Sequence, residues 1–182
     1  SCPEIDYDKL TILNHLYFEK FKSDPYTGLV TGSKQGKLID GIKNGHWIYF
    51  IDGKPSSKTN FKNGENDRIK EVFHRNGKLN YSLEFKKGLK SGPFISFYEN
   101  GNIRSKGRYK DNLKEGIWEV NHLNVNIKEK NFYENGVIEG LNQQYYSNGE
   151  LFSEGKFKKG YKSGFWKFYD EIGNTLETKD FG

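Results

Sequence analysis

The sequence predicts an all-β protein, an elongated single-layer antiparallel sheet built from tandem β-hairpin repeats of about 24 residues. Three observations support this prediction. Aromatic residues recur at a fixed spacing, glycines follow them in the same rhythm, and Asn-Gly or Asp-Gly pairs separate short segments of alternating character. A period of this length is typical of solenoids, propellers and linear arrays.

Two aromatic registers and a set of turn glycines define the repeat. The first register contains Tyr49, Phe73, Phe97, Tyr145 and Tyr169. The second contains Phe61, Phe85, Tyr109, Tyr133, Phe157 and Phe181. Glycines follow the first register at Gly53, Gly77, Gly101, Gly149 and Gly173. Together these registers predict six repeats.

Each repeat is predicted to be a hairpin with a type I′ turn, because that turn needs positive φ at two residues and favours Asn-Gly and Asp-Gly. The pairs are Asp52-Gly53, Asn76-Gly77, Asn100-Gly101 and Asn148-Gly149. A two-residue loop at Asn100-Gly101 would pair Tyr98 with Ile103 and Phe94 with Gly107. Strand alternation then predicts aromatic ladders on both faces of the sheet, with one face also basic.

The chain is predicted to contain three parts. Residues 1–9 form a flexible N-terminal leader, residues 10–28 a capping hairpin and turn, and residues 29–182 the repeats as one elongated domain. Asn14-His15 is the predicted turn of the cap, and a short helix over residues 6–14 is the alternative. Residues 29–48 look like a degraded repeat, as expected of a terminal one.

The segment Asn121–Asn126 departs from the pattern. It lacks the aromatic residue of the first register, and Val125 stands where a turn glycine is expected. A β-branched residue fits positive φ poorly. A wider or irregular turn is therefore predicted here.

Composition argues against several classes of function. The 182 residues carry 29 basic and 24 acidic side chains, a net charge of +5, with 34% hydrophobic and 16% aromatic residues. Mixed charges predict solvated surfaces and no nucleic-acid partner, because a nucleic-acid interface requires clustered basic residues. The single cysteine excludes an intrachain disulfide, and the four histidines are too dispersed for a zinc site. Carboxylates recur in register, which predicts a scaffold with no cofactor and no catalytic site.

Cys2 is the candidate lipid-attachment residue. It lies near the N-terminus of a chain without a start methionine, and the small residue Ser1 precedes it. This arrangement resembles the acylated cysteine of bacterial lipoproteins; a cysteine without a role, preceded by a cloning remnant, is the alternative. Acylation would associate the protein with a membrane.

An unidentified protein is the expected partner. The candidate contact residues lie on one predicted face: Phe97, Arg104, Lys106, Tyr145 and Phe152. The alternative is that these rings are covered by intramolecular packing or by a second subunit. An exposed apolar patch of several hundred Å² would favour a partner site.

The repeat resembles the bacterial MORN-repeat variant over residues 16–182. Its pattern is Gly-x-Trp/Phe-x-x-aromatic-aromatic-x-Asn-Gly, and the segments Gly140 to Gly149 and Gly164 to Tyr169 follow it. The stretch from Leu16 to Gly28 resembles the lead-in of YwqK-type antitoxins. The resemblance implies a non-catalytic hairpin-repeat protein that mediates protein or membrane contacts.

Three functional hypotheses follow. The leading hypothesis is a binding module in a bacterial cell envelope, anchored through Cys2. The second is a cytoplasmic antitoxin or immunity-type protein that neutralises a partner toxin. The third is a protein that binds lipid surfaces through its basic side chains.

Overall fold

The computed structural model describes residues 2–182 and consists almost entirely of β-strands. The chain forms two compact units that divide after Leu89. Most consecutive strands pair in antiparallel hairpins within each unit, so the predicted fold class of tandem antiparallel hairpins is confirmed. None of the residues in 2–182 belongs to a helix with the length and apolarity needed to span a membrane.

The first unit contains ten strands and a short 3-10 helix at Tyr7–Lys9. The strands are β1 (Glu4–Asp6), β2 (Leu10–Leu13), β3 (Leu16–Glu19), β4 (Gly28–Thr31), β5 (Lys34–Ile39), β6 (Ile42–Ile51), β7 (Lys54–Lys62), β8 (Glu65–Asn66), β9 (Arg68–Phe73) and β10 (Leu79–Lys86). The strand order is β1-β4-β5-β6-β7-β9-β10, with β8 paired to β7. The β2–β3 hairpin forms a separate two-stranded sheet.

The prediction of a flexible leader over residues 1–9 is wrong for most of that segment. Residues Glu4–Asp6 pair in parallel with β4, and the Leu29 amide donates to the Pro3 carbonyl at 2.8 Å. Ile5 is buried in the core of the first unit. This segment is ordered because its backbone completes a sheet edge and its one apolar side chain is covered, which local sequence does not reveal.

The predicted hairpin around Asn14-His15 is present, and of the alternative helix over residues 6–14 only the short 3-10 helix at Tyr7–Lys9 forms. Strands β2 and β3 pair antiparallel around Asn14 and His15, whose φ angles are 49° and 66°. Leu10 and Tyr17 from this hairpin join the core around Trp47. The hairpin therefore covers one face of the first unit's sheet.

The second unit is a run of eight strands in sequence order. They are β11 (Leu89–Phe97), β12 (Ile103–Lys110), β13 (Leu113–Asn121), β14 (Ile127–Glu134), β15 (Val137–Tyr145), β16 (Leu151–Lys158), β17 (Tyr161–Tyr169) and β18 (Thr175–Asp180). The unit boundary falls just after the first residue of β11. Every neighbouring pair in this run is antiparallel.

From Asn63 onward the hairpin turns alternate between two types, and the predicted type I′ turns were partly misplaced. Asp52-Gly53 has positive φ at both residues, as predicted. At Asn76-Gly77, Asn100-Gly101 and Asn148-Gly149 only the glycine does, so these turns are not type I′. Two consecutive positive φ angles occur instead at the alternate turns Asn63-Gly64, Lys87-Gly88, Asp111-Asn112, Asn135-Gly136 and Lys159-Gly160.

The loop at Asn100-Gly101 is longer than predicted. The Tyr98 amide donates to the Asn102 carbonyl, and the Gly101 amide donates to the Tyr98 carbonyl. Phe94 pairs with Gly107 as predicted, but Phe97 and not Tyr98 aligns with Ile103. Arg104 is the extra residue of a β-bulge between these two points. The bulge absorbs the difference in loop length without moving the rest of the register.

The predicted irregular turn at Asn121–Asn126 is wrong. The His122 amide donates to the Asn126 carbonyl and the Val125 amide to the His122 carbonyl, the same pattern as in the Gly101 turn. Val125 adopts a φ of 68° in the position of the glycine. The repeat imposes its turn on this residue because side-chain amides of Asn124 and Asn126 both donate to the Ser147 carbonyl in the next turn.

Candidate functional site

Three tryptophans define one face of the main sheet in each unit, here called the tryptophan face. Trp47, Trp118 and Trp166 are almost completely buried. Each lies over a glycine on the preceding strand, namely Gly36, Gly107 and Gly155. A Cβ atom at these glycines would lie 2.2–2.3 Å from the indole ring. Any residue other than glycine would therefore clash with the ring.

The same polar contacts accompany each tryptophan. The indole Nε1 donates to the carbonyl of the residue after the glycine at 3.2 Å in all three copies. A lysine amine lies over each ring, 4.4–4.9 Å from its centroid. These lysines are Lys43, Lys114 and Lys162. Cation–π attraction and the indole hydrogen bond therefore accompany each buried tryptophan in the same way.

In the second unit the tryptophans are linked by further rings. Tyr109 packs edge-on against Trp118 at 5.0 Å, and Phe157 packs in the same way against Trp166 at 5.2 Å. Tyr133 and Phe181 approach the same tryptophans from the following strands. Between the two sites the repeat substitutes Asn142 for tryptophan and Asn131 for glycine, and these side chains hydrogen-bond each other.

In the first unit, tyrosine side chains and a hydrogen-bonded lysine surround Trp47. Tyr17 and Tyr49 pack beside it, and the Lys43 amine donates to the Tyr49 hydroxyl at 2.5 Å. Burial, with the charges of Lys34 and Lys70, lowers the pKa of Lys43 to about 8. Burial also raises the pKa of Tyr49 to about 12 and raises the pKa of Tyr17.

The opposite face of the second unit carries a row of paired charges. Lys106 aligns with Glu119 and Glu119 with Lys130, and both amines lie within ion-pair distance of the Glu119 carboxylate, at 3.1 and 3.7 Å. The row continues through Gln143, Glu154 and Lys167 in the same register. These charges largely satisfy one another, so the row is polar but not strongly basic.

An apolar row, interrupted on β16 by Lys156 opposite Leu141, lies beside the charged row on that opposite face. Its members are Ile117, Phe132, Leu141 and Phe165, whose side chains are 45–69% exposed. Ile117 and Phe132 are directly paired across β13 and β14. Each of the four precedes or follows a buried residue of the tryptophan face, so alternation directs them all to the opposite side.

The five candidate contact residues are not equivalent. Lys106 is held in the ion-pair row, whereas Arg104 is an exposed bulge residue. Phe97 is half-buried in β11. The Tyr145 hydroxyl donates to the Gln143 side chain at 3.1 Å.

Phe152 does not share the face of Tyr145 as predicted. It is the extra residue of a bulge, so strict alternation does not apply to it. Its ring packs edge-on against Tyr146 and Phe168, and Phe168 lies with Trp166 under the Lys162 amine. Tyr145 and Phe152 nevertheless border one shallow depression together with Lys128, Glu129 and Gln144.

Cys2, the candidate lipid-attachment residue, is exposed and carries a free thiol. The next residue, Pro3, is already hydrogen-bonded to β4 through its carbonyl. An acyl chain on Cys2 would therefore sit directly beside the folded first unit.

Successive turns of the second unit are joined by side chains. The Tyr98 hydroxyl donates to the Asn121 carbonyl, His122 Nε2 to the Tyr145 carbonyl, and the Tyr146 hydroxyl to the Tyr169 carbonyl, at 2.6–2.8 Å. In the first unit Phe50 occupies the equivalent position and has no hydroxyl. A half-open cleft of about 300 Å³ lies there, and its lining includes the apolar residues Ile51, Pro55 and Phe73 and the basic residues Lys54, His74 and Arg75.

Sequence reasoning missed the tryptophan sites and the apolar row. A signal for the first was present, because a glycine precedes each tryptophan by eleven residues: Gly36, Gly107 and Gly155. The apolar row was also visible as Ile117, Leu141 and Phe165 at the repeat period. Neither pattern falls on the aromatic registers by which the repeat was defined.

The comparisons with known proteins identify the repeat. Residues 90–111 and 138–159 match the family model described as MORN repeat variant. No curated protein matches the chain. MORN repeats are thus present at two positions in the second unit, and repeats of this family are in general non-catalytic scaffold or binding elements.

One solved structure shows a weak likeness. It is the crystal structure of a GtfA/B complex bound to UDP and GlcNAc, which matches 81% of this chain at 8% identity with a TM-score of 0.27. The chain spans 27% of the length of that protein. A likeness this low supports no conclusion about fold or function.

Proposed function

We propose that this chain is a non-catalytic binding module that holds a partner protein on the opposite face of its second unit. The observation that carries the proposal is the exposed apolar row of Ile117, Phe132, Leu141 and Phe165 beside a self-paired charged row. Protein interfaces combine an apolar centre with a polar rim in this way. A partner strip of apolar residues flanked by polar side chains fits this surface.

Site-specific photo-crosslinking tests the proposal. A photoreactive residue replaces Ile117, Leu141 or Phe165 in cells that naturally contain the protein, and Ile172 provides the control because it is exposed and apolar but lies in a turn. We expect one protein adduct shared by the three row positions and absent at Ile172. Adducts equal at all four positions, or none at the row, would contradict the proposal.

A charge substitution with the purified partner sharpens the test. Leu141→Arg places an unpaired charge in the centre of the row, whereas Ile172→Arg places one in the control turn. We expect Leu141→Arg to weaken binding about tenfold or more and Ile172→Arg to leave it unchanged.

We further propose that Cys2 is acylated and tethers the module to a bacterial cell envelope. Its exposed thiol and its position beside the folded first unit support this assignment. Mass spectrometry of the N-terminal peptide from the source cells should show a lipid-modified cysteine. An unmodified thiol on protein recovered from those cells would rule out the tether.

A cytoplasmic antitoxin or immunity-type inhibitor is the second candidate. The same apolar row favours it, because inhibition by surface complementarity needs a preformed contact surface and no catalytic group. Its distinguishing outcome is an unmodified Cys2 together with a crosslinked partner whose toxic activity this chain suppresses.

A further inference from the structure

The first unit gathers three lysines on its tryptophan face without a negative charge among them. Lys34 and Lys43 lie on β5 and β6, and Lys70 lies on β9. All three are partly exposed. Within residues 2–182, no carboxylate forms an ion pair with any of these amines.

Tyrosines hold two of these amines in place. The Lys34 amine donates to the Tyr7 hydroxyl at 3.0 Å, and the Lys43 amine donates to the Tyr49 hydroxyl at 2.5 Å. Both amines lie over the ring of Tyr49, at 5.5 and 4.9 Å from its centroid. The two ammonium groups therefore share one aromatic wall, and each retains N–H donors beyond its tyrosine hydrogen bond.

This grouping is unfavourable for the chain alone. The charges of Lys34 and Lys70, added to burial, make Lys43 easier to deprotonate and lower its pKa. Like charges brought together at a partly buried site raise the free energy of the folded state. A bound anion would reverse that cost, because each ammonium would then gain a charge-assisted hydrogen bond.

The tryptophan sites of the second unit show that the extra lysines are not required by the motif. Lys114 covers Trp118 and Lys162 covers Trp166, and each tryptophan has one lysine over its ring. The site at Trp47 adds Lys34 and Lys70, with Tyr7 and Tyr17 contributed by the N-terminal segment.

From this cluster we infer that the first unit binds a soluble, multiply charged oxyanion of the phosphate or sulfate type between Lys34 and Lys43. The ammonium groups bind the anion oxygens directly. The hydroxyls of Tyr7 and Tyr49, which accept from the lysines, donate their own protons to the same oxygens. The inference does not depend on the partner surface of the second unit.

Isothermal titration calorimetry of the full chain tests the inference. The probes are pyrophosphate, inorganic phosphate and sulfate, each titrated at neutral pH and constant ionic strength maintained with sodium chloride. We expect saturable binding of at least one probe with a single site per chain. Stronger binding of inorganic phosphate than of sulfate would identify phosphate chemistry, and the reverse order would identify sulfate chemistry.

Three methionine variants locate the site. Lys34→Met and Lys43→Met keep an unbranched apolar stem but remove the charge, and we expect each to weaken binding about ten- to hundredfold. Lys114→Met is the matched control, because its amine also lies over a tryptophan but has no such cluster around it. It should bind the probe as the unmodified chain does.

Two outcomes would overturn the inference. The first is the absence of saturable binding of all three probes to the unmodified chain. The second is binding that Lys114→Met weakens as much as Lys43→Met does, which would indicate general attraction to a basic surface. Circular dichroism of each variant checks its fold, and Lys34→Met, the variant farther from Trp47, provides the result if Lys43→Met does not fold.

Discussion

Trp47 and Trp166 occupy equivalent positions in the two units, but different material covers them. Both rings are fully buried, lie over a glycine and donate to a backbone carbonyl at 3.2 Å. Trp47 belongs to a core cluster with Ile5, Leu10 and Leu38, supplied largely by the N-terminal segment. Trp166 is covered by Phe157, Phe181 and the Lys162 amine.

The difference shows that the tryptophan of the same glycine–tryptophan motif can be buried in two ways. In the first unit a separate hairpin supplies aliphatic and tyrosine side chains, and the site resembles an ordinary hydrophobic core. In the second unit neighbouring repeats supply rings and a lysine stem, so burial is achieved within a thin sheet. Four experiments would break or sharpen this comparison.

Removing the ring from each kind of site should have the largest effect. Trp47→Ala is expected to destabilise the first unit by about 5 kcal/mol, at the upper end for such truncations, because several elements converge on the ring. Trp118→Ala should cost the second unit about 3 kcal/mol, because its partly exposed neighbours can move into the gap. Urea unfolding of both variants measures this, and an equal or reversed order would contradict the comparison.

Converting the asparagine position into a tryptophan site should have the next largest effect. Asn142→Trp alone is expected to cost about 1–3 kcal/mol, because the Asn131 side chain occupies the place that glycine leaves open elsewhere. Adding Asn131→Gly should recover most of that loss, since the double variant recreates the pair found at Gly107 and Trp118. Asn131→Gly alone completes the double-mutant cycle, and additive effects would show that the two positions do not form one site.

The pH dependence of stability should distinguish the two units. The Lys43 pKa is near 8 in the folded chain and 10.5 unperturbed, so the unfolded chain binds more protons between these values. Stability of the first unit should therefore rise by about 1 kcal/mol across this window, allowing for solvent screening of a partly exposed group. Above pH 10 the trend reverses, because Tyr17 and Tyr49 ionise more readily when unfolded.

The groups around Lys43 that take part are Lys34 and Lys70 with Tyr7, Tyr17 and Tyr49. Urea midpoints measured from pH 7 to 11 check the prediction. Lys43→Met should abolish the rise above pH 8, and Lys114→Met should retain it. If the stability of the Lys43→Met variant still rises above pH 8, other titrating groups cause the rise.

Relief of the strained turn should give the smallest effect. Val125→Gly removes a β-branched residue from a φ of 68° and is expected to stabilise the second unit by about 1 kcal/mol. The mirror change Gly101→Val introduces a valine at φ 93° in the equivalent turn and should destabilise by a similar amount. Thermal unfolding of both variants measures this, and a neutral Val125→Gly would mean that the turn tolerates valine without strain.

The repeat period predicted the hairpins and most of their pairing. Phe94 aligns with Gly107 as predicted, because strand register follows from side-chain alternation and a fixed number of residues per repeat. The turn types could not be assigned in the same way. An Asn-Gly pair suits both a type I′ turn and a turn with only the glycine at positive φ, and the flanking residues of Asn100-Gly101 do not separate them.

The structure of the N-terminal segment and the facing of some side chains could not be predicted, because they depend on contacts between residues distant in sequence. Glu4–Asp6 is short and polar, so its pairing with β4 leaves no alternating pattern in the sequence. Phe152 turned away from its predicted face because a bulge inserts one residue into its strand. The oxyanion cluster joins Tyr7, Lys34 and Lys43 across three separate elements, and only the folded first unit brings them together.

The side-chain links between turns have a consequence for how such chains can change in length. Tyr98, His122 and Tyr146 each bond a carbonyl 23 residues ahead, so the first two links each end one residue before the next donor. Deleting or duplicating a complete repeat in this unit would reconnect each donor with an equivalent carbonyl. An insertion of any other length would interrupt the series. Gene rearrangement can therefore alter the number of binding positions in whole steps while leaving each remaining turn satisfied.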